Sequence, residues 1–130
     1  YEDRPGAADR STMQGFALWH NETARIGLQY AHQARQNADD FDVASLFGVC
    51  NLSARLALIG RVDRMFDSNP EGDRIPYLPF DPTRASTLYI AGVDWKLHKN
   101  LSIIPNVEYV HYDGGGENDL LPRVTFFFTF

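Results

Sequence analysis

The chain is poor in features that usually announce a chemistry. It has one cysteine, Cys50. That excludes an internal disulfide and any metal site built on several thiolates. It has no run of roughly 20 apolar residues, the length a membrane-crossing helix needs. Its purely apolar stretches are short, such as LALIG at residues 56–60. Basic residues are in the minority, 12 against 17 acidic, for a net charge of -5. A nucleic-acid surface needs a basic field, so none is expected. There is no G-x-S-x-G motif. The four histidines, His20, His32, His98 and His111, lack metal-ligand spacing. The segment DGGGEND at 113–119 lacks the D-x-D-x-D-G order of a calcium loop. No initiator methionine or leader precedes Tyr1, so the chain reads as a mature product or a fragment.

Disorder is excluded from the other side, because 44% of residues are hydrophobic and 13% aromatic. The mean hydropathy of -0.33 describes an ordinary soluble protein at first sight. A transmembrane strand, however, alternates its apolar positions and keeps a low mean. The value rejects a helical membrane protein and leaves a barrel open.

The dominant period is two. Over residues 23–37, Ala24, Ile26, Leu28, Tyr30 and Ala34 fall on one face, and Arg25, Gly27, Gln29, Gln33 and Arg35 on the other. This is a strand with one face in an apolar medium and one in water. Over 87–98, Tyr89, Ala91, Val93, Trp95 and Leu97 oppose Asp94, Lys96 and His98. Over 101–112, Leu101, Ile103, Val107 and Tyr109 oppose Ser102, Asn106 and Glu108. Over 56–66, Leu56, Leu58, Gly60 and Val62 oppose Arg61 and Asp63. Over 120–130, Leu120, Val124, Phe126, Phe128 and Phe130 oppose Arg123, Thr125 and Thr129. Residues 41–51 are apolar on both sides; Val43, Phe47 and Val49 are expected outward and Ala44, Gly48 and Cys50 inward. Residues 12–20 make a seventh strand whose facing the pattern leaves open.

Short connections at Asn21-Glu22, at 51–53 and at Lys99-Asn100 alternate with longer ones at 36–40, 67–86 and 113–119. The 67–86 connection holds Pro70, Pro76, Pro79 and Pro82. Outer-membrane barrels sort their loops in this way, with short periplasmic turns and longer extracellular loops. With a periplasmic C-terminus, all three short turns fall on the periplasmic side. The expected fold is therefore an all-β, antiparallel transmembrane β-barrel, of which residues 1–130 form a C-terminal, up-and-down portion of about seven strands. Residues 1–11 read as the tail of an extracellular loop. Seven strands cannot close with the right polarity, so at least one more strand is expected before Tyr1.

Two stretches carry a resemblance. The end, RVTFFFTF, resembles the C-terminal signal of outer-membrane barrels: a final Phe130 with Phe128, Phe126 and Val124 at alternate positions before it. The order LALIGRVDRMFDSNP, LYIAGVDWKLHKNLSIIPNVEYVHYDGGG and the final strand resembles the C-terminal third of bacterial porins, in particular the group that includes the phosphate-selective porins. Val62 stands where that pattern often has Tyr. The resemblance covers about residues 23–130. It implies the bacterial outer membrane, passive diffusion of small polar or ionic solutes, no enzymatic activity and no cofactor or metal. The implied partners are outer-membrane lipid, the small solutes, further copies in a homotrimer, and the barrel-assembly machinery through Val124, Phe126, Phe128 and Phe130.

On this reading Arg25, Gln29, Gln33, Arg61, Asp63, Asp94, Lys96, Asn106, Glu108 and Arg123 line the pore. Their mixed signs set no anion or cation preference. Asp63, Asp94 and Glu108 have no spacing that demands acid–base chemistry. Two other classes stay open at this point. One is a barrel that serves as an anchor or scaffold in a surface complex. The other is a soluble β-sandwich or small barrel that binds a ligand, which would require Tyr89, Val93, Trp95, Phe126 and Phe128 to be buried in protein.

Overall fold

A computed structural model describes residues 9–36, 39–69, 72 and 80–129. Phe130, Asn37, the expected loop tail over residues 1–8, and Pro70, Pro76 and Pro79 lie outside the described residues. The elements are β1 (Arg10–His20), β2 (Ala24–Arg35), β3 (Phe41–Asn51), β4 (Leu56–Met65), β5 (Ser86–His98), β6 (Leu101–Tyr112) and β7 (Asp119–Phe128). Each strand pairs antiparallel with the next in sequence, giving one sheet in the order β1-β2-β3-β4-β5-β6-β7. The seven strands fall where the alternation places them, with ends that shift by a residue or two. The fold is all-β and an up-and-down meander; β1 and β7 are its two edges. No helix among the described residues is long and apolar enough to cross a membrane.

Tight polar turns join the strands at one end. Asn21 Oδ1 accepts from the backbone N–H of Thr23 at 2.9 Å and of Ala24 at 2.7 Å, an Asx turn that replaces a backbone one. Leu52 and Ser53 both donate to the Leu56 carbonyl, at 2.9 and 3.1 Å. Between β5 and β6 the turn is only Lys99-Asn100, and the register slips between Lys96 and His98 as a bulge beside it. The longer connections gather at the opposite end.

That end is latched by side chains. Arg64 holds Asp113 through two nitrogens, at 2.9 and 2.5 Å. This pairing, strengthened by Coulomb attraction, keeps the Asp113 carboxyl below the usual carboxylate range. Arg84 donates to the carbonyls of Asp113 and Gly115 and lies 4.4 Å from the Tyr112 ring centroid. The loop it grips runs through Gly114, Gly115 and Gly116 at φ of 80, 82 and 111°. Three successive left-handed residues need glycine, since a Cβ is strained there. Thr83 donates from its backbone at 2.9 Å and from its hydroxyl at 2.6 Å to Asp81, which holds the Asp81 carboxyl low.

The sheet has almost no core. Only Ala57, Val110 and Tyr112 are buried among the described hydrophobic residues. The accessible surface is 8965 Å² for a 14.7 kDa chain, whereas a compact soluble monomer of that mass exposes about 6,900 Å². The excess lies on the two faces of an uncovered sheet.

Candidate functional site

Strand register sorts the side chains onto two unlike faces. One cross-strand row reads Ala17, Leu28, Leu46, Val62, Tyr89, Tyr109 and Leu120. The rows nearer the short turns on the same face bring in Trp19, Ile26, Leu58, Val93, Trp95, Val124, Phe126 and Phe128. These residues are exposed in bulk: Leu28 is 54%, Trp95 51% and Phe126 57% accessible. A soluble monomer rarely leaves a contiguous apolar face of this extent to water. Along β5 the apolar-face residues Tyr89 to Leu97 span eight residue rises, about 27 Å of strand, or about 21 Å of height at the tilt usual in barrels. The apolar band of a transmembrane barrel is about 25 Å tall.

Charge on this face is confined to one rim, beside the long loops. There, His32 Nδ1 and Asp42 Oδ1 are 2.8 Å apart, and the Tyr30 hydroxyl donates to the same oxygen at 2.7 Å. Arg64 and His111 are the other acidic, basic or histidine side chains on the described strands of this face, and Arg64 is paired with Asp113. Below that rim these strands carry none on this face.

The opposite face holds all ten residues that the alternation assigns to a polar wall. Six of the ten bond to neighbouring side chains or carbonyls. Arg61 Nε donates to both oxygens of Asp63, two residues along the same strand, at 2.8 and 2.7 Å. Arg123 pairs with Glu108 across β6 and β7 at 3.2 Å. Asn106 donates to the Ile104 carbonyl at 2.9 Å and to Thr125 Oγ1 at 3.4 Å. Gln33 donates to Thr12 Oγ1 at 3.1 Å and accepts from Arg35 Nε at 2.9 Å. Asp94 Oδ1 is buried with no hydrogen-bond partner among the described residues. Arg25, Gln29 and Lys96 stand without a side-chain partner among the described residues. The wall is thus brought together as a surface, not as a catalytic constellation. No group of three or more metal-ligating residues occurs among the described residues.

The structure corrects the facing expected for β3. Leu46 pairs with Leu28 on one side and Val62 on the other, so Ala44, Gly48 and Cys50 share the apolar face. Val43, Phe47 and Val49 instead face the polar side. The strand is apolar on both faces, so its own pattern could not decide; the neighbouring strands do. The room for Phe47 comes from Gly27, directly opposite it. A Cβ at Gly27 would lie 2.2 Å from the Phe47 ring, whose far end leans over the glycine. Phe16 stacks on that ring at 6.2 Å and 16°. Register also settles β1: Met13, Ala17 and Trp19 join the apolar face, and Phe16 and Leu18 the polar one.

The alternation therefore missed an apolar island on the polar wall. Phe47, Val49, Ile59 and Ile90 surround a groove of about 350 Å³ with Arg61 as its one charged lining residue. Runs apolar on both sides, VASLFGV and LALIG, were the available signal. Val124, Phe126 and Phe128 sit on the apolar face of edge strand β7, at 58%, 57% and 59% accessible. His20 and His98 end β1 and β5 beside short turns.

The chain matches no known family, no curated protein and no solved structure.

Proposed function

We propose that this sheet is part of a porin-like barrel of the bacterial outer membrane, whose polar face lines a path for passive diffusion of small polar or ionic solutes. The observation that carries the proposal is the two-sidedness of the sheet: an exposed apolar face, charged only at one rim, backs onto a face that carries the strands' charges and amides, interrupted by apolar side chains around Phe47. Such a wall solvates a water-filled lumen. Lipid offers no hydrogen-bond partners, so the open edges of β1 and β7 require closure by further strands. The two edges run in the same direction, and pairing them with each other would be parallel. The porin-like motif order of residues 56–130 supports the same reading, as does the alternating Val124, Phe126 and Phe128 of the β7 edge. That edge suits strand addition by an assembly factor.

Refolding tests the proposal. In buffer without detergent the full-length protein is expected to aggregate; in micelles it should give a heat-modifiable, β-rich species. A stable, monodisperse monomer in plain buffer would overturn the membrane reading and favour the soluble binding domain. Conductance steps in a planar bilayer are expected for the pore. A folded, inserted but silent protein would instead favour the anchor or scaffold.

A further inference from the structure

We infer that the apolar island on the polar wall is a subsite for a single-ring aromatic carboxylate. The inference rests on the reading that this wall faces an aqueous lumen. Three observations converge on the ligand class. The groove, at about 350 Å³, lies at the small end of ligand pockets, so it accommodates one ring and no extended oligomer. Its wall is aromatic on one side: the Phe47 ring leans over Gly27 and stacks with Phe16. A fixed ring of this kind favours offset stacking with another ring. Its aliphatic remainder, Val49, Ile59 and Ile90, gives a sugar or an inorganic ion nothing to bond.

The charge at the groove is cationic. Arg61 stands directly opposite Phe47 and Ile90. Its Nε is committed to Asp63, while its terminal nitrogens make no hydrogen bond among the described residues. Those two nitrogens suit a carboxylate presented from the lumen. Arg25 lies opposite Val49, one row from Phe47, is exposed, and has no partner among the described residues. Asp63 offsets the charge of Arg61, and Arg25, one row away, adds a positive charge that has no partner among the described residues. One ring and one carboxylate match this arrangement, whereas an organic cation would meet the arginines.

The experiment uses full-length protein and two probes, sodium benzoate and sodium acetate. Benzoate binding is read by ligand-observed NMR on protein folded in micelles, and current block is read in planar bilayers. Benzoate is expected to bind and block in preference to acetate. Phe47→Ala should reduce the benzoate-to-acetate preference about 3- to 10-fold, the range for one aromatic contact. Arg25→Gln, a change confined to an exposed side chain, should weaken both carboxylates about 2- to 5-fold. Conductance with equal benzoate and acetate affinity would overturn the subsite and leave the pore standing. Benzoate binding that Phe47→Ala weakens, in a protein that never conducts, would overturn the pore and keep the subsite. No benzoate binding by folded protein would overturn the subsite.

Discussion

Adjacent residues on β2 offer a decisive contrast. Leu28 sits midway between Ala24 at the short turn and His32 at the charged rim, on the apolar face, and is 54% accessible. Gln29 points the other way, into the polar wall, and has no side-chain partner among the described residues. If the apolar face contacts hydrocarbon, Leu28→Arg places a guanidinium near the bilayer midplane. That costs about 2–4 kcal/mol on the lipid face of a barrel, roughly a 30- to 900-fold fall in the folded-to-unfolded ratio. Gln29→Arg adds a charge to a wetted wall and should change stability by less than about 0.5 kcal/mol. The assay is guanidinium unfolding of protein refolded into phospholipid vesicles, followed by the emission of Trp19 and Trp95, which both lie on the apolar face. With m near 3 kcal/mol/M, the Leu28→Arg midpoint should drop by about 1 M at unchanged m. Equal effects of the two substitutions, or a larger effect of Gln29→Arg, would refute the facing and with it the membrane reading.

Two glycines should differ in their tolerance of a methyl group. Gly27→Ala displaces only the Phe47 ring and should cost about 1 kcal/mol, a penalty that vanishes in a Phe47→Ala background. Gly92→Ala meets Asn106 Cβ at 2.7 Å and the Pro105 carbonyl at 2.9 Å, which cannot swing aside, so it should cost about 2–3 kcal/mol in the same unfolding assay. Asp113 should titrate below the ordinary 3.8 because Arg64 holds its charged form. Its contribution to the loop latch is full above that ordinary value and is lost as pH falls through the lower folded value; the amide shift of Gly115 in micelles reads the midpoint, and Arg64→Gln should raise it. Phe126→Ala with Phe128→Ala should lower the fraction of protein assembled in the outer membrane in cells; undiminished assembly would remove these two aromatics from the targeting signal.

The existence of all seven strands was legible because period-two alternation is strong wherever one face is polar. Ala24 to Ala34 and Tyr89 to Leu97 needed nothing else. The polar wall followed from the same alternation, residue by residue. The alternation failed on β3, where both faces are apolar and the deciding facts are nonlocal: Leu46 lies between Leu28 and Val62. The groove around Phe47 was hidden for the same reason, since it depends on a glycine that precedes it by twenty positions. The rim latch was illegible too. Nothing local links Arg64 to Asp113, which are 49 residues apart and meet only because β4 and β6 flank β5.

The odd number of strands also limits how this sheet could assemble with copies of itself. A twofold axis along the membrane normal would set β7 of one copy beside β1 of the other in the same direction, giving two parallel seams. A twofold axis in the membrane plane would pair β1 with β1 and β7 with β7 antiparallel. It would also send the latched loops of one copy outward and those of the other inward. Self-association of this sheet therefore sacrifices either antiparallel seams or a common orientation. Its edges are better matched to an unlike segment with an odd number of strands.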